Sequence, residues 1–222
     1  MVRVVLVSLA VALSACSTTQ QAAPVGKARS GLVDYSLLSP GAEGQAALRY
    51  VNPSAQWSRY KKIMILPVTF WAGDKSMPGE DQQALCDYFY QSLHQQMSQK
   101  FQVVDKPGPD VMKLAVAIVD ASAATPVLRS ISMLIPQARA IATLKYIGTG
   151  SYPFVGGLQA EAKLTDSHTG DVLGEWVDRR IGGGSAQTAA QWQWGDAENA
   201  INAWSAQAAT KLAAWRSGAA TQ

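Results

Sequence analysis

The chain has 222 residues, 48% of them hydrophobic, with 19 basic against 16 acidic side chains and a formal charge of +3. That balance, with no cluster of Lys and Arg, excludes the electrostatic footprint of a nucleic-acid-binding protein. Two cysteines and two histidines leave little material for disulfides or for a metal site built from soft ligands.

Arg3, the apolar run Val4 to Leu13, and the ending Leu13-Ser14-Ala15-Cys16 together predict a bacterial lipoprotein signal. A membrane-spanning helix needs about 20 apolar residues. The run is half that length, and Ser17-Thr18-Thr19-Gln20-Gln21 cannot extend it. Processing would remove residues 1–15 and leave Cys16 at the new N-terminus, its sulfur carrying a diacylglyceryl group and its amine an acyl chain. Losing Arg3 would lower the formal charge from +3 to +2. Two lipid chains hold a protein on a bilayer where one is marginal. The competing reading is an ordinary secretory signal in which Cys16 has no role. By resemblance to lipoproteins of enteric-type bacteria, Ser17 in place of aspartate favours the outer membrane, with the domain facing the periplasm. Residues 16–30 are rich in Ser, Thr, Gln, Ala and Pro and predict a flexible tether. Residues 31–222 suffice for one globular domain with a sizeable core. With Cys16 modified, Cys86 is the remaining thiol, so packing must stabilise the domain without an intrachain disulfide.

The first element predicted in the domain is a buried strand over Lys61 to Phe70, a short β-branched apolar run. A helix follows from about Pro78 to Lys100, because Leu85, Phe89, Leu93 and Met97 recur every four residues. Pro78 suits a first helical turn. Strands are predicted over Phe101 to Asp105 and Val111 to Asp120, separated by Lys106-Pro107-Gly108-Pro109. Between Val127 and Ile147, Pro136 interrupts an apolar stretch studded with Arg129, Arg139 and Lys145, which gives two short helical pieces. They either pack over the sheet or offer an amphipathic contact surface. Gly148 to Gly157 is a turn-rich connection. Leu158 to Thr165 and Val172 to Ile181 form a hairpin, with Asp166 and Asp171 capping turn amides and Thr169-Gly170 supplying the left-handed conformation. After the loop Gly182-Gly183-Gly184-Ser185, a helix starts near Asp196, which can cap it, with a stripe of Ile201, Trp204, Ala208, Leu212 and Trp215. The order predicts an α/β (α+β) fold: a mixed sheet of about five strands with helices packed on it.

Particular residues carry a family resemblance. Gly31-Leu32-Val33-Asp34-Tyr35-Ser36-Leu37-Leu38, Tyr50-Val51-Asn52-Pro53 and Trp57-Ser58-Arg59-Tyr60-Lys61-Lys62 resemble the start of a bacterial lipoprotein family catalogued as a domain of unknown function. Pro136-Gln137-Ala138-Arg139, Phe154-Val155-Gly156, Leu164-Thr165-Asp166, Thr169-Gly170, Asp178-Arg179-Arg180 and Trp194-Gly195-Asp196 follow in the expected order. The resemblance implies an envelope lipoprotein and brings no activity, substrate or catalytic residue. The element order and the hairpin with its Asp-x-x-Thr-Gly turn also resemble small periplasmic lipoproteins that assist envelope assemblies, such as penicillin-binding-protein activators and curli-secretion lipoproteins.

The residues point to no catalytic or metal site and no cofactor. His94 lies at the boundary of a helix face and His168 in a hairpin turn, far apart in sequence and without a Cys partner other than Cys86, which reads as a small buried hydrophobe. Gly182-Gly183-Gly184-Ser185 lacks the Lys-Ser/Thr ending of a phosphate loop. Two groups remain as candidate interaction surfaces. Trp192 and Trp194 alternate with Gln191 and Gln193, which leaves open contact with carbohydrate or peptidoglycan or burial in the core. Asp34, Tyr35, Trp57 and Tyr60 either form a second surface or belong to a segment folded back over the sheet. The expected function is a non-enzymatic binding or scaffold module, lipid-anchored to the membrane, whose partner is an envelope protein or the cell wall. The rival is a periplasmic hydrolase using Asp34, Asp166 or Asp178, which requires at least two of them to converge in one pocket.

Overall fold

A computed structural model describes residues 19–26, 29–71, 77–122, 156–182 and 194–219. The leader with Cys16, the stretch Val127 to Ile147, most of the connection Gly148 to Gly157, residues 183–185 and Trp192 lie outside the described residues.

The described chain forms strands β1 (Thr19–Ala22), β2 (Ser39–Pro40), β3 (Leu48–Val51), β4 (Lys62–Ile65) and β5 (Thr69–Phe70), helix α1 (Gly79–Ser98), strands β6 (Gln102–Val103), β7 (Val111–Ser122), β8 (Gly157–Asp166) and β9 (Val172–Gly182), and helix α2 (Gly195–Arg216). The strands make one mixed sheet in the order β2-β3-β9-β8-β7-β4-β6, with β1 also on β9 and β5 also on β7. β4 and β6 run parallel on the β7 side, while β7, β8, β9 and β3 are successively antiparallel. The α+β class and single mixed sheet agree with the sequence reading. The strand count does not: among the described residues nine strands replace about five, because β1, β2 and β3 are two to four residues long and too short for a periodic signal, and one predicted strand is divided in two.

The helices predicted from about Pro78 and from near Asp196 are present, and so is the hairpin. Leu85, Phe89, Leu93 and Met97 of α1 are all buried, and so are Ile201, Leu212 and Trp215 of α2. Both helices cover the same face of the sheet, where Leu114, Val116, Ala160, Ala162 and Leu164 point. The predicted strand Lys61 to Phe70 is split into β4 and β5, since Pro67 has no amide hydrogen to give to a ladder. The hairpin turn is built as expected at Asp166, whose Oδ1 accepts the amides of His168 (2.8 Å) and Thr169 (3.0 Å), and at Gly170, which takes φ +82°, whereas the Asp171 carboxylate accepts the Thr169 hydroxyl (2.7 Å) in place of an amide. Asp196 does not cap α2. It sits fully buried in the first turn and accepts the Gly156 amide at 2.8 Å, tying the helix start to the head of β8.

The flexible tether is the main correction. Residues 19–22 pair in register with Arg179 to Gly182 as β1, continuing along the edge of β9 that β3 occupies further down. Polar composition predicted freedom, but glutamines donate and accept in a ladder as well as any residue, and an unpaired strand edge favours whatever backbone lies beside it.

Candidate functional site

The chain between β1 and β2 crosses the sheet on the face opposite the helices. Side chains alternate across a strand, so Gln159, Glu161 and Lys163 of β8 and Glu175 of β9 point to this face while Ala160 and Ala162 point to the other. Gln159, Glu161 and Glu175 are fully buried there. Each is answered by the crossing segment. Gln159 Oε1 accepts the Val25 amide (2.6 Å); Glu161 accepts the Ser30 hydroxyl and the Tyr35 hydroxyl (2.8 Å); Glu175 accepts the Asp34 amide (2.9 Å) and pairs with Lys163 at 2.7 Å. Arg29 lies 3.9 Å above the Tyr35 ring. Burial and the Glu161 carboxylate push the Tyr35 phenol well above its usual range. Buried carboxylates survive only when hydrogen-bonded or paired, and here the segment supplies the partners.

That geometry decides the fate of the candidate surfaces. Trp57 is buried 4.9 Å from Trp215, and Tyr60, 2% exposed, donates its hydroxyl to Asp166 at 2.9 Å. Trp194 is also buried, its indole donating to Asp81 at 3.0 Å. These three are core residues and offer no surface: each aromatic body fills space between layers, and the polar tips of Tyr60 and Trp194 find fixed acceptors. Asp34 is exposed and Tyr35 half-buried, the latter in the strap folded over the sheet. The Ser36 hydroxyl and amide hold the Asp34 carboxyl below the usual carboxylate range.

The carboxylates of the rival reading do not converge. Asp178 faces the helices, opposite in parity to Glu175, which meets the strap bearing Asp34. Asp178 pairs across the ladder with Ala160, six residues along β8 from Asp166, or roughly 20 Å at strand spacing. Asp166 serves its turn: burial would raise its carboxyl, but the amides of Thr169 and His168, the Tyr60 hydroxyl and Arg59 at 3.2 Å outweigh that and lower it. Tyr60 in turn is pushed up to about 12, by burial and by the Asp166 hydrogen bond. His94 and His168 are both exposed, and Cys86 is a buried thiol raised to about 11 by burial. Among the described residues no group of three His, Cys, Asp or Glu side chains is placed to hold a metal.

The helix-covered face contains the feature that sequence reasoning missed. Between the sheet and the two helices lies a cavity of about 130 Å³, lined by apolar side chains. Its cause is local. Ala160 and Ala162 of β8 face Ala208 of α2, so three methyl groups meet where neighbouring positions carry Leu, Phe or Trp. Phe89, Leu93 and Met97 of α1 and Leu212 and Trp215 of α2 close the interior, and Phe89 stacks on Trp204 at 5.9 Å. The mouth is polar and has more positive than negative groups. Arg49 of β3, Lys211 and Gln207 of α2 and Asp178 of β9 stand around it. Asp178 is held by the Trp204 indole (2.6 Å), the Ala47 amide (2.9 Å) and Gln21 of β1 (2.5 Å). The β2–β3 connection roofs the mouth: the Gly44 carbonyl accepts Gln207 (2.5 Å) and Lys211 (2.9 Å). Burial lowers the Lys211 pKa, Arg49 and Arg180 add to that, and Asp178 opposes it. The available sequence signal was a run of small residues, Ala160 and Ala162, on the inward face of a strand.

Residues 27–208 match the family described as "Protein of unknown function (DUF3313)". The chain belongs to the DUF3313 family. This agrees with the resemblance to a domain of unknown function read from the sequence motifs. No curated protein matches. Among solved structures the DUF3313 chain is similar to the PelC dodecamer from Paraburkholderia phytofirmans, at 8% identity, with 72% of this chain and 93% of that chain covered and a TM-score of 0.39. A point variant of the same dodecamer gives 9% identity, 72% and 92% coverage and a TM-score of 0.39. Protein XCC0632 from Xanthomonas campestris, assigned to DUF330, gives 14% identity, 75% and 92% coverage and a TM-score of 0.39.

Proposed function

We propose that this DUF3313 protein is a lipid-anchored component of the bacterial cell envelope, held at the outer membrane through Cys16 with its domain facing the periplasm, and that it works there as a non-enzymatic binding or scaffold module. The supporting observation is the start of β1 at Thr19. Only Ser17 and Thr18 separate Cys16 from the sheet, a reach of about 10 Å for three extended residues. A lipid on Cys16 would therefore hold the sheet edge directly against the bilayer surface, and the strap beyond β1 would transmit that attachment into buried polar contacts. The candidate groups for hydrolysis are committed elsewhere: Asp166 to a turn, Asp178 to an indole and a backbone amide, Asp34 to Ser36.

Cys16→Ser tests the anchor. It is expected to abolish lipid labelling, leave uncleaved precursor and remove the protein from the outer-membrane fraction; normal maturation of this variant would defeat the reading. Crosslinking in living cells, followed by recovery from the outer-membrane fraction, is expected to capture an envelope protein or cell-wall fragment. Turnover of a cell-wall or lipid substrate by the pure protein, lost on changing Asp166 or Asp178 to Asn, would replace the binding reading with the enzymatic one.

A further inference from the structure

We propose that the cavity between the helices and the sheet is a binding site for an amphipathic anion, whose short apolar chain enters among Ala160, Ala162 and Ala208 and whose anionic head rests between Arg49 and Lys211. The proposal rests on the reading of the domain as a binding module and names what that module holds.

Size and polarity set the apolar part. Protein interiors pack to the density of organic crystals, and voids larger than a water molecule are few. At about 130 Å³ this cavity approaches the size of an engineered apolar cavity of about 150 Å³ that stays dry and takes up benzene. Its wall is apolar throughout the interior, so water gains no partners there. A ligand's methylenes do, at roughly 0.8 kcal/mol for each one buried.

Charge sets the head. The polar groups stand at the mouth, beside the roofing connection, and cations outnumber the single carboxylate. Asp178 accepts from the Trp204 indole and the Ala47 amide and pairs with Arg180 at 3.4 Å, so its charge is met by a cation outside the lining of the opening. An ammonium carries three donors, and the Gly44 carbonyl takes one from Lys211. The strand that bears Arg49 and the helix that bears Lys211 thus present donors from two sides of one opening. Gln45, whose side chain accepts from Arg49 at 2.8 Å, and Gln207, bonded to Gly44, fix the roof between them. A cationic amphiphile would set like charge beside Arg49 and Lys211, and a neutral one would gain no charge attraction there.

The test uses the mature protein as isolated from cells, in phospholipid nanodiscs if it is membrane-bound. 8-Bromooctanoate is titrated in and indole fluorescence is read, since Trp176, Trp204 and Trp215 line the site and bromine quenches an indole it touches. Saturable one-to-one quenching is expected, with 8-bromooctylammonium binding about tenfold more weakly because attraction at the rim becomes repulsion. Ala162→Leu and Ala208→Leu fill the cavity from the sheet side and the helix side, and either one, shown folded by its circular dichroism melt, should abolish saturable quenching. Lys211→Gln should weaken the octanoate severalfold and leave 8-bromooctanol unchanged. Equal affinity for anion and cation, or quenching that survives both cavity-filling variants, would overturn the assignment. Absence of any saturable binding would also overturn it while leaving the anchored scaffold reading intact. Consumption of an octanoyl ester by the protein would defeat the non-enzymatic reading and support the cavity as the acyl site.

Discussion

On one face of the sheet two long helices lie on Leu114, Val116, Leu164 and two alanines; on the other a single extended segment lies on Gln159, Glu161 and Glu175. The helix face is held by apolar burial, which has no direction and tolerates an imperfect fit, and a cavity remains in it. The strap face is held by directed hydrogen bonds to buried carboxylates, where every partner must be in place. The two faces should therefore fail differently when cut.

The deepest cut is Phe89→Ala. The ring is 3% exposed, stacks on Trp204 and borders the existing cavity. Truncation should cost about 4 kcal/mol, read as a lower urea midpoint for the whole domain with the strap staying protease-resistant until global unfolding. Glu161→Ala should come next, at about 3 kcal/mol, because the Tyr35 hydroxyl and Ser30 lose a charged acceptor at once. Its signature is local: limited proteolysis should cut between residues 23 and 38 before the helices melt. If this variant unfolds in one step with no early cut, the strap is not a separately held layer.

A smaller effect marks the seam where the faces meet. A Cβ at Gly182 would stand 2.3 Å from the Asp196 carboxylate, which is buried against the head of β8. Gly182→Ala should cost about 2 kcal/mol, in the range of core overpacking, in a thermal melt.

Acid and base should act from opposite ends of the pH range on one hydrogen-bonded pair, Asp166 and Tyr60. Asp166 has its folded pKa lowered from 3.8, so it contributes stability at neutral pH that is lost as pH falls below that value through the folded pKa. Tyr60 has its folded pKa raised from 10 to about 12, so its contribution is complete below pH 10 and lost as pH rises through 12. Asp166→Asn should flatten the acid limb of the stability curve and move the alkaline loss to lower pH, since the Tyr60 hydroxyl then meets a neutral acceptor in place of a carboxylate. The smallest expected change is Ala162→Leu. Added methylenes usually strain a packed core, but here they enter the cavity, and stability should move by less than about 0.5 kcal/mol. A loss of several kcal/mol would show that the cavity walls cannot accept an occupant.

The helices and the hairpin were legible because their information is local. Leu85, Phe89, Leu93 and Met97 repeat at helical spacing, and Asp166 with Thr169-Gly170 names a turn by its own backbone chemistry. The strap was not. Residues 19–22 look like solvent-loving linker, and their order comes from the unpaired edge of β9, which is distant in sequence. Glu161 and Lys163 alternate with Ala160 and Ala162 as in any strand with one wet face, and nothing in that alternation says that Tyr35 and Ser30 will cover the wet side. Trp57, Tyr60 and Trp194 misled for the converse reason. An amphipathic aromatic ring looks the same in sequence whether its polar tip meets water or a buried carboxylate.

Sequence alone therefore determined the family, the α+β class, the helix faces, the turn and the expectation of a lipidated Cys16, all readable within windows of a few residues. The tertiary structure decided that residues 19–22 are part of the sheet, that Asp34, Asp166 and Asp178 stand apart, and that three alanines from two elements leave a cavity beneath Arg49 and Lys211. Cavities and strand edges belong to no single segment, because each exists only where surfaces remote in sequence meet.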